Sequence, residues 1–245
     1  MHWVGWDNFT RMLDDSKFIK ALQNNLLFTA VTVPCGLIMA MIMAVVVHTK
    51  LYAKDLFKIL FFIPYICSTV AIAAVWAALY QPSNGPINQL LRQIGFEHPP
   101  LWLADTKYAI AAIMIISIWQ GLGYQMIIFL AGLTQIPEDM YESADIDGAT
   151  GIEKFWHITV PLLAPTTLFL TITTIIGSFK VFDIIKFLTD GGPNDASTVL
   201  VYRIYEEGFI NFNMGYASAL SWVLFILVIA VSSVTWIVQN KEKTA

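Results

Sequence analysis

Five long apolar runs dominate this chain of 245 residues and limit what it can fold into. Each run holds about 20 residues or more, the length of helix that crosses a hydrocarbon core roughly 30 Å thick. Lipid offers no hydrogen-bond partners to the backbone, so such runs are expected to be helical. The sequence therefore predicts an all-α, polytopic membrane helix bundle with five spans, at 26–47, 59–80, 109–133, 162–185 and 216–238.

Composition supports this class, since 57% of the residues are hydrophobic and 13% are charged. A formal net charge of -4 with 14 Lys and Arg leaves no basic surface for nucleic acid. Pro34 and Pro64 fall inside the first two runs, so kinks are expected near both. We find no long repeat and interpret 1–245 as a single transmembrane domain.

A polar island at 140–165 separates the third and fourth runs. Pro137 suits a first helical position, which predicts a short helix through Asp145. Gly148 breaks the periodicity, and Thr150 with Glu153 is typical of a capping box that starts a second helix over 151–160. The prolines that follow should end or kink this helix, so the island is predicted to form a compact helix, bend and helix.

Ten positions of this region match a family pattern in order and spacing: Glu142, Ser143, Ala144, Asp147, Gly148, Ala149, Phe155, Ile158, Pro161 and Pro165. The pattern resembles the EAA loop of binding-protein-dependent ABC importer permeases. Segments 119–137, 179–192 and 215–221 extend the likeness towards the carbohydrate, maltose-permease-like branch. Ser143 departs from the second position of the EAA triplet, but it is small and still permits close packing.

The resemblance implies a transmembrane permease subunit of an ATP-driven importer for sugars or related small carbohydrates, in the plasma (inner) membrane of a bacterium or archaeon. Its partners would be the lipid bilayer, a second permease forming a heterodimer, two ABC ATPase subunits and an extracytoplasmic sugar-binding protein. ATP and Mg would be bound by the ATPase subunits, and this chain would bind no cofactor. In the family, a further membrane helix precedes the segment that opens this sequence.

The resemblance further implies that 134–161 is cytoplasmic and docks on the ATPase, with six coupling residues: Glu142, Ser143, Ala144, Asp147, Gly148 and Ala149. Carboxylates there would accept hydrogen bonds from a basic surface, and small residues would allow close approach. An ordinary polar loop is the alternative that spacing alone leaves open.

Polar and aromatic residues within the spans are candidates to line a sugar pathway, because aromatic faces stack on sugars and polar groups bind hydroxyls. The candidates are Trp119, Gln120, Tyr124, Phe179, Phe182 and Asp183. Bonds between helices and anchoring at the interface are the competing interpretations.

Two segments outside the spans are predicted to lie at the membrane surface. Trp3, Trp6 and Phe9 suit an interfacial segment near the start of the chain. The aromatic, amphipathic stretch 199–209 is predicted to lie along the membrane in the same way.

Catalytic chemistry has little support in the sequence. The four histidines fall on separate segments, and neither a nucleophile elbow nor a phosphate-binding loop is present, so we predict no catalytic residue and no metal site. Cys35 and Cys67 lack ligand spacing and are interpreted as apolar side chains. A secondary transporter or channel for a small polar solute is the alternative function, although the spans offer few carboxylates for an ion site.

Overall fold

The computed structural model describes residues 4–50 and 54–242, and all regular structure within them is helical. The helices before the polar island are α1 (Asp7–Asp14), α2 (Ser16–Lys50), α3 (Lys54–Ile66), α4 (Thr69–Leu79), α5 (Pro86–Gln93) and α6 (Ala109–Leu133). Those from the island onward are α7 (Glu138–Ile146), α8 (Gly151–Lys154), α9 (Val160–Leu162), α10 (Ala164–Phe179), α11 (Asp183–Leu188), α12 (Leu200–Tyr205) and α13 (Met214–Glu242). Two π-helical turns, Phe155–Thr159 and Glu206–Ile210, follow α8 and α12.

Within the described residues, four helical segments are long and apolar enough to cross a membrane: Ser16–His48, Ala109–Leu133, Ala164–Leu188 and Met214–Ile237. The pair α3 and α4 makes a fifth span when its two helices are counted together. The predicted all-α membrane bundle is therefore confirmed as a fold class.

The first long helix begins well before the predicted run at 26–47, because Asp15 caps it. The Asp15 carboxylate accepts hydrogen bonds from the backbone N–H groups of Lys17 at 2.9 Å and Phe18 at 3.3 Å. These N–H groups belong to the first turn, which has no carbonyl partners of its own. Helix α2 then continues through Pro34 to Lys50.

The predicted span 59–80 is not one helix, which corrects the sequence interpretation. Helix α3 ends at Ile66, and α4 restarts at Thr69 after Ser68 adopts φ -56 and ψ 130. Pro64 lies in the last turn of α3, where it donates no N–H and its ring crowds the preceding turn. The kink expected near Pro64 is thus a complete break a few residues later.

Helices α6 and α13 lie where the runs at 109–133 and 216–238 place them, since neither contains a proline. The run at 162–185 behaves differently. Helix α10 ends at Phe179, and α11 begins at Asp183 after Phe182 leaves helical geometry with φ -144. Residues 180–182 therefore interrupt this run near its end.

The contacts within the chain divide it into two compact units, so the single domain predicted over 1–245 stays a prediction. Unit 1 consists of the described residues up to Thr32, together with Cys67–Ser117 and Ile175–Ser233. Unit 2 consists of the described residues of Val33–Ile66, Ile118–Thr174 and those from Val234 onward. Each long helix that carries a unit boundary, such as α2 or α6, contributes residues to both.

Among the described residues of unit 1, two clusters of buried apolar side chains are present. The larger cluster includes Ile113 and Ile116 of α6 and Ile185 of α11, all fully buried. The smaller one joins Met12 of α1 to Tyr216 of α13. Of the surface segments predicted in this unit, Trp3 lies outside the described residues and Trp6 is exposed.

Candidate functional site

Helix α7 opens the loop between α6 and α10. Pro137 is the residue just before this helix and not its first helical residue, which corrects its predicted position by one. Glu138 and Asp139 occupy the first turn, where carboxylates favour the positive end of the helix dipole. The helix ends at Ile146, close to the predicted limit of Asp145.

Gly148 makes the bend between the two helices of the loop. Its φ is +75°, a left-handed conformation that a residue with a Cβ adopts at a cost of about 1–2 kcal/mol. A Cβ built at this position would meet no described atom within 4 Å, so the backbone angle and not crowding within the chain favours glycine. The backbone at the bend is left open to an approaching surface.

The second helix of the loop starts with the predicted capping box. The Glu153 N–H donates to Thr150 Oγ1 at 3.4 Å, and the Thr150 N–H donates to Glu153 Oε2 at 2.6 Å. This backbone hydrogen bond, together with the one from the Thr150 side chain, lowers the pKa of the Glu153 carboxyl. The start of α8 is therefore set by two residues three positions apart, as a capping box requires.

The helix predicted over 151–160 differs from the observed structure, in which α8 ends at Lys154 and a π-helical turn follows. In this turn the Val160 N–H donates to the carbonyl of Phe155, five residues back. Pro161 has no N–H to donate to the preceding turn, so the regular α pattern cannot continue there. The helix thus has one wider, π-helical turn before the chain continues towards α10.

Two contacts brace the loop internally. The hydroxyls of Tyr141 and Thr159 lie 2.9 Å apart and join α7 to the π-helical turn. Lys154 forms an ion pair with Asp145, which joins α8 to α7. The two helices are therefore held as one small unit on either side of the bend.

Most of the predicted coupling residues lie at the surface of the described chain. Glu142, Ser143, Asp147 and Gly148 are exposed, whereas Ala144 and Ala149 are half-buried. No feature of the chain by itself assigns these residues a partner, so their coupling role stays a prediction.

The structure adds three large apolar side chains that the sequence interpretation missed. The exposed fractions are 87% for Ile146, 73% for Ile152 and 61% for Trp156. Apolar side chains at this exposure within a polar loop mark a surface suited to a protein partner. In the sequence, these exposed side chains could have been suspected only from the presence of large apolar residues inside the otherwise polar island.

The six pathway candidates divide equally between the two units. In unit 2, Tyr124 stacks on Tyr65 of α3, with ring centroids 4.7 Å apart and an angle of 15° between the planes. Trp119 is exposed over 38% of its surface, and Gln120 is half-buried. The amide of Gln125 is more deeply buried, and its Oε1 has no hydrogen-bond partner among the described residues.

In unit 1, Phe179 is fully buried at the end of α10, which favours a packing role over solute contact. Phe182 is half-buried, and its ring lies 5.2 Å from that of Tyr205. Asp183 is exposed at the start of α11. These three residues therefore have three different environments.

The sequence profile of the family described as "Binding-protein-dependent transport system inner membrane component" matches residues 32–241. This match covers most of the chain, including the bent loop and three of the four long apolar segments in full. The chain belongs to this family. The predicted resemblance is confirmed, and family membership selects an ABC importer permease over a secondary transporter or channel.

Relatives of the permease agree with this assignment. The sn-glycerol-3-phosphate transport system permease protein UgpA of Agrobacterium fabrum is 33% identical over 233 residues, which cover 95% of this chain and 79% of that protein. The probable ABC transporter permease protein YurN of Bacillus subtilis is 35% identical over 234 residues, 94% of this chain and 80% of that protein.

A solved structure shares the fold of the permease. It is a bacterial ABC transporter involved in the import of the acidic polysaccharide alginate, and the match has a TM-score of 0.87 at 23% identity. The alignment covers 98% of this chain and 84% of that chain. At this identity the likeness concerns the arrangement of helices.

A buried ionic network in unit 1 of the permease was not predicted. Arg203 is only 6% exposed, and its guanidinium contacts Asp15 at 3.2 Å, Glu206 at 2.5 Å and Glu207 at 2.8 Å. The polar residues of the stretch 199–209 are therefore partly buried against the rest of unit 1, and the position of this stretch along the membrane surface stays a prediction. In the sequence, the carboxylates three and four residues after Arg203 could have indicated the ion pairs within this helix.

Proposed function

We propose that this permease forms the translocation path of an ATP-driven importer for small polyhydroxylated solutes, such as sugars or glycerol phosphates. The name of the relative from Agrobacterium fabrum supports this class, since that protein transports sn-glycerol-3-phosphate. The matched segments 119–137 and 179–192 of the carbohydrate branch support it independently. The permease lies in the plasma (inner) membrane of a bacterium or archaeon and crosses it several times.

The exposed apolar surface of the bent loop carries the proposal of coupling. Ile146 and Ile152 stand on either side of Gly148, and both are largely exposed while the helices beneath them are braced. A braced, apolar projection transmits force as a rigid body once a partner covers it. The partner is a cytoplasmic ATPase subunit whose groove receives Ile146, Ile152 and Trp156.

The remaining subunits follow from the same mechanism. Two ATPase subunits bind ATP and Mg, and their closure moves the docked loops of this chain and of a second, different permease. An extracytoplasmic binding protein delivers the solute. Nucleotide binding supplies the conformational free energy, and the permease residues only bias which state accepts solute.

The pathway role is proposed for Trp119, Gln120 and Tyr124 before the other candidates. These three residues share one stretch of α6, and the Tyr124 ring is already held in place by its stack on Tyr65. A fixed aromatic face beside an amide suits a solute with both C–H faces and hydroxyls. Phe179 is fully buried, so it is a weaker candidate for contact with the solute.

The coupling proposal is tested by the double variant Ile146→Ser, Ile152→Ser. Both side chains are exposed, so the fold should remain intact while the apolar contact with the ATPase is lost. We expect the ATPase to stop co-purifying with the permease and solute uptake to fall at least tenfold. A tenfold loss of affinity corresponds to about 1.4 kcal/mol of lost contact.

The matched control is Leu90→Ser in α5, a residue 61% exposed and outside the loop. This control should leave ATPase binding and uptake unchanged. Normal ATPase association and normal uptake in the double variant would contradict the proposed docking. Labelling of the loop from the outside of intact cells would contradict its cytoplasmic position.

A further inference from the structure

Helix α1 has an apolar face that unit 1 covers only in part. Trp6, Phe9 and Leu13 share one side at helical spacing, whereas the charged residues of the helix lie on the opposite side. Phe9 is half-buried, but Trp6 and Leu13 are each 76% exposed. Two large apolar side chains thus project from a short, non-spanning helix.

The orientation of α1 is set by contacts of two of its residues with α13. Met12 is 3% exposed and belongs to the buried cluster with Tyr216 and Leu220. The guanidinium of Arg11 lies 4.4 Å from the centre of the Tyr216 ring. Because both contacts turn this side of α1 towards α13, Trp6 and Leu13 face away from the buried cluster.

A second exposed apolar segment lies at 209–214, where the chain enters α13. The exposed fractions are 64% for Phe209, 48% for Ile210, 79% for Phe212 and 53% for Met214. Phe212 has a φ of +54°, which is rare for an aromatic residue and carries strain. The backbone thus holds an aromatic ring outward in a conformation that its own preferences oppose.

Both segments lie beside the first turn of α13, where one apolar span begins. The Tyr216 hydroxyl in the first turn of α13 donates to Asp15 Oδ2 at 2.7 Å, and Asp15 joins α1 to α2. Asn8 also packs beside Gly215, where a Cβ would lie 3.4 Å from Asn8 Nδ2. The apolar span Met214–Ile237 starts at these contacts, whereas in Ser16–His48 ten residues of mixed character precede the apolar run at 26–47.

We propose that the exposed face of α1 and residues 209–214 form an interfacial collar, which inserts into the boundary between phospholipid headgroups and acyl chains. The continuity of 209–214 with α13, and the packing of α1 on the first turn of that membrane-crossing helix, favour lipid as the occupant. Tryptophan and phenylalanine suit this depth, where one part of the ring is apolar and the surroundings are wet.

The chemistry of the collar is apolar and not ionic. Helix α1 carries two carboxylates, Asp7 and Asp14, against the single guanidinium of Arg11, and the latter already packs on Tyr216. Such a helix has no excess positive charge to attract anionic headgroups. Lipid contact at the collar should therefore need no acidic lipid and should resist salt.

The test uses the full chain, with the subunits that co-purify with it, in vesicles of phosphatidylcholine. A spin label is attached at Leu13→Cys or Phe212→Cys after Cys35→Ala and Cys67→Ala remove the native thiols. The control site is Asp14→Cys, adjacent in sequence to Leu13, exposed and on the polar side of the same helix. Oxygen collides with labels in lipid, whereas a water-soluble nickel chelate collides with labels in water.

We expect the ratio of oxygen to nickel collisions to be several-fold higher at Leu13 and Phe212 than at Asp14, and to be unchanged by salt. Equal ratios at all three sites would place the face in water and overturn the proposal. A label that is immobile and shielded from both reagents would mean that protein covers the face, which overturns it as well. Quenching of a bimane at the same cysteines by brominated acyl chains provides a second measurement, in which absence of quenching has the same meaning.

Discussion

The contacts inside unit 1 differ in kind from the contacts inside unit 2. In unit 1, Asn25 is fully buried, donates its Nδ2 to the carbonyl of Ser178 at 3.3 Å and accepts the Leu200 N–H at 3.1 Å. In unit 2, helices approach each other at glycines, and a Cβ on Gly123 would lie 1.9 Å from the carbonyl oxygen of Phe61. Unit 1 thus contains buried polar partners that are far apart in sequence, and unit 2 contains a close approach of two helices at a glycine.

The comparison indicates how each unit responds to change. A polar contact is sensitive to removal of one partner, because the other partner remains buried and unpaired. A close backbone approach is sensitive to added volume, because the neighbour that must move is itself backbone. Unit 2 also carries the loop with exposed apolar side chains, whereas the buried charges of Arg203 and Glu207 in unit 1 are paired within that unit.

The largest effect should come from Arg203→Met in unit 1. This change leaves Asp15, Glu206 and Glu207 without their shared cation, and Glu207 is only 4% exposed. Breaking a buried ion pair in this way costs about 3–5 kcal/mol of the free energy of unfolding. Unfolding in mixed micelles measures the loss.

The control is Lys58→Met in unit 2, which removes the ion pair of Lys58 with the exposed carboxylate of Asp55. A loss of about 0–1 kcal/mol is expected for such a surface pair. Equal losses for the two variants would contradict the difference between the units.

The next effect concerns close packing in unit 2. Gly123→Ala should lower the free energy of unfolding by about 1–3 kcal/mol, because the new methyl group meets the backbone of Phe61. Gly177→Ala is the matched control, since a Cβ there meets no described atom within 4 Å. This control should be stabilising by about 0.5–1 kcal/mol through helix propensity alone. Two variants of equal stability would show that the approach at Gly123 is not tight.

The smallest expected effect is the loss of folding stability of unit 1 as the pH falls. Burial would raise the pKa of Asp15, but the hydrogen bonds from Tyr216 and Arg203, with the charge of Arg203, outweigh it and lower the pKa overall. The stabilisation is therefore fully present above the unfolded pKa of about 3.9 and is lost as the pH falls through the lower folded value. Asp15→Asn should flatten this acid-side decline in the unfolding midpoint, whereas Asp14→Asn should retain it. A decline of the same steepness in both variants would show that another group causes it.

How far the sequence predicts the structure depends on the range of the forces involved. The bounds of α6 and the capping box of Thr150 and Glu153 are local, so they could be read from adjacent residues. The break between α3 and α4 was expected only as a kink near Pro64, because the position of a break depends on what the freed carbonyls contact. The bend at Gly148 was predictable, but the exposure of Ile146 and Ile152 was not.

The sequence by itself determined the membrane class, the long helices, the bent loop and the permease family, because apolar length, proline, glycine and capping residues act over a few neighbours. Tertiary structure alone decided that Arg203 is buried and that Trp6 and Leu13 remain exposed. Arg203 depends on Asp15, which is 188 residues away in the chain, and no local pattern specifies such a partner. Whether a charge is buried or an apolar face stays open is settled only when distant segments compete for the same contacts.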